Sequence, residues 1–171
     1  MPFTIQLDLD EHTEAIIAAV ADRLMTVPGL ETVRQIGDVH HLSLGVYEDL
    51  PIDIIMPRLL RFADTISPLD IRLANVGIFP GAVIFLGPVV TGELLELHRR
   101  FHTAFAAFSG SCWPYYHPCN WVPHVTIALN VKNIPAAVEE IMRVWKPGSA
   151  RLDALRLIEF QPVRTLVCCK L

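Results

Sequence analysis

The sequence has few lysines, few cysteines and no uninterrupted apolar run of membrane-spanning length. Only three of its 14 basic residues are lysines, and the formal net charge is −4 with a pI near 5.9. A chain without a general positive field does not attract long polyanions. Any nucleic-acid substrate should therefore be short or bound at a local patch. The excess of arginine is compatible with a phosphate site, because guanidinium is the better bidentate partner for phosphate.

A stretch of 20 residues without a charged side chain, from Leu73 to Gly92, matches a membrane helix in length alone. Glycines and prolines interrupt it, and Phe79-Pro80-Gly81 would form a turn between two short strands. We interpret the stretch as a buried hairpin and expect no membrane association. The first residues contain no basic segment followed by an apolar core, so we expect no signal peptide and a cytoplasmic location.

Cysteine usage argues against a disulfide scaffold. Of the four cysteines, Cys168 and Cys169 are neighbours whose side chains would leave a strand on opposite faces, and a reducing compartment suits them. With 171 residues, 52% of them hydrophobic, the chain can bury one good core. We expect residues 1–171 to form a single two-lobed domain.

Apolar periodicity predicts the same order of elements twice along the chain. The first half should contain a strand at 3–9, a helix at 11–26, a strand at 39–47, a helix at 52–65, and strands at 71–78 and 82–86. The second half should contain a helix at 92–108, a strand at 124–130, a helix at 135–145, and strands at 151–160 and 163–170. A shift of 83 positions superposes His41-Leu42-Ser43-Leu44 on His124-Val125-Thr126-Ile127. This agreement predicts two similar lobes related by a pseudo-twofold axis.

Each of these two motifs places a histidine and a hydroxyl residue at positions i and i+2 of a strand. His41 with Ser43, and His124 with Thr126, should therefore project from one face, while the residues between them point into the core. If the lobes pair as the repeat implies, the four polar groups meet in one groove. Two imidazoles, whose ordinary pKa is about 6.5, can act as general base and general acid at neutral pH. The hydroxyls can donate hydrogen bonds to phosphate oxygens.

The pattern of His, any residue, Ser or Thr, and an apolar residue is rare enough to be informative. This composition predicts about 0.3 chance matches, and two occur at corresponding places of the repeat. The alternative, that His41 and His124 are half-buried strand histidines with backbone partners, is therefore the weaker interpretation. His40 should face away from His41 and be a packed or solvated neighbour.

The two motifs resemble the paired motifs of the two-histidine (2H) phosphoesterase superfamily, which includes 2′-5′ RNA ligase-like proteins and cyclic phosphodiesterases. Chain length, motif separation and element order are also similar to that family. The resemblance implies a bilobal α+β fold in which antiparallel sheets line a central cleft and helices lie outside. It implies chemistry without a metal or other cofactor on a small nucleotide or an RNA end. Ser43 stands where many relatives have threonine, which preserves the hydroxyl.

We therefore expect an enzyme that hydrolyses a 2′,3′-cyclic or 2′-5′ linked phosphodiester without metal. His41 and His124 would alternate as base and acid, with Ser43 and Thr126 binding phosphate, and which histidine is the base stays open. Joining of RNA ends, which is the reverse of this reaction, is the nearest alternative activity. A catalytically idle nucleotide- or RNA-binding module is the alternative from another class. Nothing in the sequence indicates an obligate protein partner.

Three further residues are candidates for substrate binding. Tyr116 and Trp121 lie in the Pro- and aromatic-rich loop before the second motif, where they could stack on a base or seal the core. Arg34 precedes the first motif and could contact phosphate, although most surface arginines are merely solvated.

Two possible metal-ligand sets carry less weight. His98 and His102 occupy positions i and i+4 of a predicted helix, but the two arginines between them oppose metal binding, and a solvated helix face is the favoured interpretation. A metal enzyme using these histidines is a third possibility, which activity after exhaustive chelation would exclude. Cys112, His117 and Cys119 match no familiar zinc spacing, and nearby prolines indicate a rigid loop. We predict no metal.

Overall fold

The computed structural model describes residues 2–160 and 162–171, which form a mixed α+β fold. Within these residues lie eight strands: β1 (Phe3–Leu9), β2 (Glu31–Thr32), β3 (His41–Tyr47), β4 (Leu69–Phe79), β5 (Val83–Pro88), β6 (Val125–Leu129), β7 (Gly148–Glu159) and β8 (Arg164–Lys170). The α-helices are α1 (Glu11–Leu24), α2 (Ile52–Ala63), α3 (Gly92–Ala104) and α4 (Ile134–Val144). Two 3-10 helices span Ala106–Ser111 and Pro114–Tyr116.

The predicted helices and strands are present, most with ends shifted by up to three residues, and two larger differences concern β2 and α3. The two-residue strand β2 was not predicted, because it is too short to show a period and exists only through its ladder with β6. Helix α3 ends at Ala104 instead of Phe108, since Phe105 leaves the helical region with φ −107° and ψ 18° and packs into the core. The stretch from Leu73 to Gly92 contains the β4–β5 hairpin, as predicted, but the burial expected of it holds only for β5. Beyond Leu73, β4 is half-buried or exposed.

Polar side chains fix where three of the helices begin. Asp10 accepts a hydrogen bond from the backbone of Thr13 at the start of α1, at 2.7 Å. Thr91 does the same for α3 and Asn133 for α4. Such caps satisfy backbone donors that have no partner in the first helical turn.

The strands form one antiparallel hydrogen-bonded network in the order β1-β3-β6-β5-β4-β7-β8, with β2 beside β6. Strand β1 also pairs with β7, so six of the strands close into a ring. The two strands that carry the histidine motifs, β3 and β6, are neighbours in this ring.

Two strand pairs in the ring relate the halves of the chain to each other. Leu42 of β3 pairs with Val125 of β6, and Leu69 of β4 pairs with Leu152 of β7. In both pairs the residue numbers differ by 83, the offset of the sequence repeat. A twofold axis that passes between two antiparallel strands relates each residue of one strand to the equivalent residue of the other. The residues nearest the axis must therefore pair with their own equivalents. The predicted pseudo-twofold relation is therefore confirmed.

One hydrophobic core cluster draws on both halves of the chain. The apolar motif residues Leu42, Leu44, Val125 and Ile127 are fully buried in it. Because side chains alternate along a strand, the polar motif residues are directed to the other face of the sheet. No helix in the described ranges is long and apolar enough to cross a membrane.

Candidate active site

A cleft of about 560 Å³ lies over the paired motif strands. Its lining includes His41, Ser43, His124 and Thr126, so all four motif side chains meet at one site. Leu42 and Val125, which lie between the histidine and the hydroxyl residue of each motif, pair across the antiparallel ladder. This register sets His41 across from Thr126 and Ser43 across from His124. Each imidazole therefore has the hydroxyl residue of the other motif as its neighbour across the ladder.

The two histidines are oriented by the same kind of hydrogen bond. Nδ1 of His41 lies 2.8 Å from the carbonyl oxygen of Val39, and Nδ1 of His124 lies 2.7 Å from that of Val122. A carbonyl oxygen only accepts, so Nδ1 carries the proton and donates it. In the neutral ring Nε2 then keeps its lone pair, which is the form that can accept a proton from a nucleophile.

His41 lies beside a buried charged network. The Asp38 carboxylate is 3.5 Å from Nδ1 of His41 and accepts a hydrogen bond from Nε2 of Gln6 at 3.3 Å. Arg156 lies 2.6 Å from Asp8 and 3.8 Å from Asp38. Burial raises the pKa of the Asp8 carboxyl, and the charge of Arg156 opposes this. The network holds the Asp38 carboxylate against the ring of His41.

His124 lies in aromatic surroundings instead. The ring centroids of Phe79 and Phe85 are 4.8 and 5.4 Å from that of His124. Burial lowers the pKa of the His124 imidazole; its backbone hydrogen bond opposes this shift, and the charge of His41 adds to it. The neutral form of His124 is therefore favoured. A Cβ atom at Gly77 would collide with the Phe85 ring, so the glycine makes room for this packing.

Tyr116 enters the cleft from the second 3-10 helix. Its ring centroid is 6.5 Å from that of His124. Burial raises the pKa of the Tyr116 phenol, and the interaction with the side chain of Ser43 offsets part of this rise. A protonated phenol can donate a hydrogen bond. Tyr116 therefore offers the cleft a donor as well as an aromatic ring.

Trp121 supports the first motif strand and is not among the residues that line the cleft. Its side chain is 9% exposed, and its Nε1 donates to the carbonyl oxygen of Ser43 at 3.1 Å. Its ring stacks on that of His98 with centroids 3.7 Å apart. Base stacking by Trp121 would require the ring to leave this packing.

The solvated helix face expected at His98 and His102 is wrong. His98 is 2% exposed, and burial lowers its pKa to about 3. Its Nε2 lies 3.1 Å from the carbonyl oxygen of Leu44 and 3.1 Å from Nε2 of His102. Both histidines thus face the sheet, because the side of α3 that carries them packs on β3 and on the loop that follows α3.

Arg34 and His40 lie outside the cleft lining. A guanidinium nitrogen of Arg34 is 3.5 Å from the carboxylate of Asp22, and both side chains are more than half exposed. The predicted phosphate contact would need Arg34 to turn away from Asp22. His40 is fully buried against Glu14, with Nδ1 3.0 Å from its carboxylate, and faces away from His41 as predicted.

Sequence reasoning missed several residues that border the site. Asp38 precedes His41 by three positions, and a carboxylate so close to a candidate histidine is a usable local signal. The phenylalanines beside His124 come from a hairpin about 40 residues away, and no pattern links them to it. Trp113 and Phe160 face each other in the cleft wall, with ring centroids 6.2 Å apart, and also join from distant segments.

Comparison with known proteins agrees with this fold and motif pair. The family model of the 2'-5' RNA ligase superfamily matches residues 39–164, which are 126 of the 171 residues. The chain therefore belongs to the 2'-5' RNA ligase superfamily of two-histidine phosphoesterases, and the resemblance of the motifs is confirmed. No curated protein matches the chain.

Several solved structures share the fold. TT0787 of Thermus thermophilus is 18% identical over 100% of this chain and 98% of its own, with a TM-score of 0.71. E. coli LigT complexed with NADP+ is 16% identical over 99% of this chain and 96% of its own, with a TM-score of 0.66. E. coli LigT complexed with 3'-AMP is 16% identical over 99% and 93%, with a TM-score of 0.65. At these identities the likeness concerns the fold.

Proposed function

We propose that this chain is a metal-independent phosphoesterase that hydrolyses a 2′,3′-cyclic or 2′-5′ linked nucleotide phosphodiester. The observation that carries the proposal is the meeting of His41, Ser43, His124 and Thr126 in one cleft, with both rings oriented through Nδ1. Simple binding does not require two titrating groups on opposite motif strands. In-line displacement at phosphorus requires a base on one side and an acid on the other.

The surroundings of the two rings favour a division of labour. His124, whose neutral form is favoured by burial, is the better general base toward water. His41 has the Asp38 carboxylate 3.5 Å away, which offsets the positive charge of an imidazolium. In hydrolysis of a cyclic phosphate, His124 would take a proton from the attacking water. His41 would give its proton to the ribose oxygen that leaves phosphorus, and proton exchange with solvent would restore both rings.

Hydroxyl groups next to the histidines would bind the phosphate. Ser43 and Thr126 can donate to the two non-bridging oxygens, on which negative charge increases in the transition state. Tyr116, which lines the cleft together with Ser43, would orient that hydroxyl or donate in its place. Stacking of a base on Tyr116 or Trp121 and a phosphate contact by Arg34 stay predictions.

A small nucleotide or an RNA end is the proposed substrate. The cleft volume of about 560 Å³ suits a ligand of this size. The related E. coli LigT structures contain NADP+ and 3'-AMP, which are nucleotides. The formal net charge of −4 disfavours binding of a long RNA at positions away from its reacting end. A cytoplasmic location stays a prediction.

The proposal is tested by turnover of the four nucleoside 2′,3′-cyclic monophosphates in excess EDTA. We expect the wild type to hydrolyse at least one, and His41→Ala and His124→Ala each to lose roughly 10²–10⁴ in kcat. His12→Ala, an exposed histidine on α1, is the matched control and should keep its activity. The product isomer identifies the bond that is cut.

Other outcomes separate the alternatives. If a folded wild type turns over none of the four compounds, simple cyclic nucleotides are the wrong substrate, and RNA ends with ligation as the assay should be tried next. If nucleotides bind to the wild type without measurable turnover, and replacing both histidines with glutamine leaves the affinity unchanged, the chain is a binding module. Loss of the wild-type kcat in EDTA, with recovery on adding a metal ion, would contradict metal independence.

A further inference from the structure

Three side chains with metal-binding chemistry meet outside the cleft, between α3 and the loop that leads to β6. His102 belongs to α3, Cys112 follows the first 3-10 helix, and His117 follows the second. One ligand atom from each lies within 4.8 Å of the other two. Cys112 is buried and both histidines are half-buried. We propose that His102, Cys112 and His117 form a binding site for Zn²⁺.

The donor set selects the kind of ion. Two imidazole nitrogens and one sulfur suit Zn²⁺, whereas Mg²⁺ and Ca²⁺ prefer oxygen ligands. Tetrahedral zinc, with Zn–N near 2.0 Å and Zn–S near 2.3 Å, holds its ligand atoms about 3.3–3.6 Å apart. The three donors must therefore approach by about 1.5 Å at most, which side-chain rotation on a loop can supply. A water molecule would complete the coordination.

The ring of His102 is already oriented. Its Nε2 lies 3.1 Å from the carbonyl oxygen of Leu44 and 3.1 Å from Nε2 of His98. Backbone carbonyls commonly orient metal-ligating histidines in this way. The burial of His98 makes this contact rigid, since its ring is stacked on Trp121.

The two arginines that follow His98 do not oppose the site. Arg99 pairs with Glu96 on the exposed surface of α3, at 2.6 Å. Arg100 donates to the carbonyl oxygen of Thr65, at 2.8 Å. Both guanidinium groups therefore lie on the side of α3 that faces α2, whereas His102 faces the loop after α3.

A bound ion would fix one wall of the cleft. The segment between Cys112 and His117 carries Trp113 and Tyr116, which line the cleft. The backbone N–H of Trp113 donates to the carbonyl oxygen of Val46 at 2.7 Å, so one end of the segment is already tied to β3. Zinc would tie both ends to α3. Its effect on substrate binding rests on the proposed function, whereas binding of the ion itself does not.

Cobalt titration of the metal-free 171-residue chain tests the site directly. Tetrahedral Co²⁺ with a thiolate ligand gives visible bands and a sulfur-to-cobalt charge-transfer band, and Zn²⁺ should displace it. We expect one Co²⁺ per chain, with both signals lost in Cys112→Ser and in His117→Ala. Cys119→Ser, an exposed cysteine two residues from His117, and His12→Ala are the matched controls and should titrate like the wild type.

Thermal unfolding gives an independent readout. Zn²⁺ at about 100 times its Kd should raise the Tm of the wild type by roughly 5–10 °C and leave His117→Ala unchanged. Absence of a stoichiometric cobalt complex in the wild type would overturn the proposal. So would a complex that survives both Cys112→Ser and His117→Ala, because its ligands would lie elsewhere.

Kinetics separate this site from the reaction itself. Compared with the Zn²⁺-loaded wild type, the metal-free wild type and His117→Ala with or without Zn²⁺ should keep their kcat and show a raised KM, since only the cleft wall is loosened. A collapse of kcat at unchanged KM would contradict the structural role of the ion. Failure of wild-type turnover on every substrate would overturn the proposed function but would leave the cobalt titration as valid as before.

Discussion

The two motif histidines share a backbone frame but differ in what surrounds them. In both, Nδ1 donates to the carbonyl oxygen two residues earlier, and both strands pair about the pseudo-twofold axis. Beside His41 lies the Asp38 carboxylate, which is linked to Arg156. Beside His124 lie Phe79 and Phe85. The repeat thus keeps the hydrogen-bond geometry while the electrostatics of the two halves diverge.

In the proposed mechanism this difference lets a nearly symmetric fold serve an asymmetric reaction. Hydrolysis needs one group without a proton and one with a proton at the start of each turnover. Burial among aromatic rings favours the neutral imidazole of His124. The repeat supplies two equivalent rings, and we propose that the residues packed behind them distinguish the base from the acid.

The largest expected effect comes from removing each histidine and then changing the leaving group. On a 2′,3′-cyclic nucleotide both alanine variants should lose roughly 10²–10⁴ in kcat. On a ribonucleoside 3′-(4-nitrophenyl) phosphate the 2′-hydroxyl attacks phosphorus, and nitrophenolate departs without protonation from the position that water occupies in hydrolysis. By microscopic reversibility His41 would then act as the base and His124 as the acid. His124→Ala should therefore recover most of its loss there and His41→Ala should not, as steady-state kinetics will report. Recovery in His41→Ala instead would exchange the two roles, and His12→Ala should match the wild type on both substrates.

The carboxylate beside His41 should have the next largest effect. Asp38→Asn keeps the hydrogen-bonding shape but removes the charge 3.5 Å from the ring. A lost interaction of about 1–2 kcal/mol in the transition state corresponds to a roughly 5- to 30-fold fall in kcat. Steady-state kinetics should show this fall with little change in KM. Asp49→Asn, an exposed aspartate, is the control. An unchanged kcat in Asp38→Asn would mean that the carboxylate does not assist His41.

The aromatic surroundings of His124 should appear in the pH profile. The base must be neutral, so kcat/KM falls as pH drops through the pKa of His124. Burial lowers that pKa, and wild-type activity should therefore persist below about pH 6.5. Phe79→Ala admits water and raises the pKa, which should move the acidic limb up by as much as about one pH unit. Tyr115→Ala, at a ring that is 78% exposed, should leave the limb in place. If Phe79→Ala does not shift the acidic limb of the pH profile, the assignment of His124 as the base is contradicted.

The smallest expected effect concerns the support beneath Ser43. Trp121→Phe removes the donor to the Ser43 carbonyl and should cost about 1 kcal/mol in the free energy of unfolding. For a chain of this length, thermal unfolding should show a Tm lower by about 2–4 °C. Trp145→Phe, at another buried tryptophan, is the matched control. Equal losses in the two variants would show that ring volume matters and the hydrogen bond does not.

Local periodicity explains why the motifs and their pairing could be predicted. Side chains two positions apart on a strand share a face, so His41 with Ser43 could be placed on one surface from the sequence. The offset of 83 predicted equivalent strands that lie side by side or face to face, and the structure decided for side-by-side pairing of Leu42 with Val125. Trp121 shows the limit of such reasoning, because its position in an aromatic loop does not reveal that it packs beneath β3.

The sequence by itself determined the order of helices and strands, the repeat, and the two histidine-hydroxyl pairs. These features depend on alternation, caps and spacing, which act over a few residues or recur at one offset. Only the tertiary structure decided that a carboxylate accompanies one histidine and phenylalanines the other, and that His102 meets Cys112 and His117. Such meetings depend on how helices and loops pack on the sheet, and no local pattern encodes the distance between residues far apart along the chain.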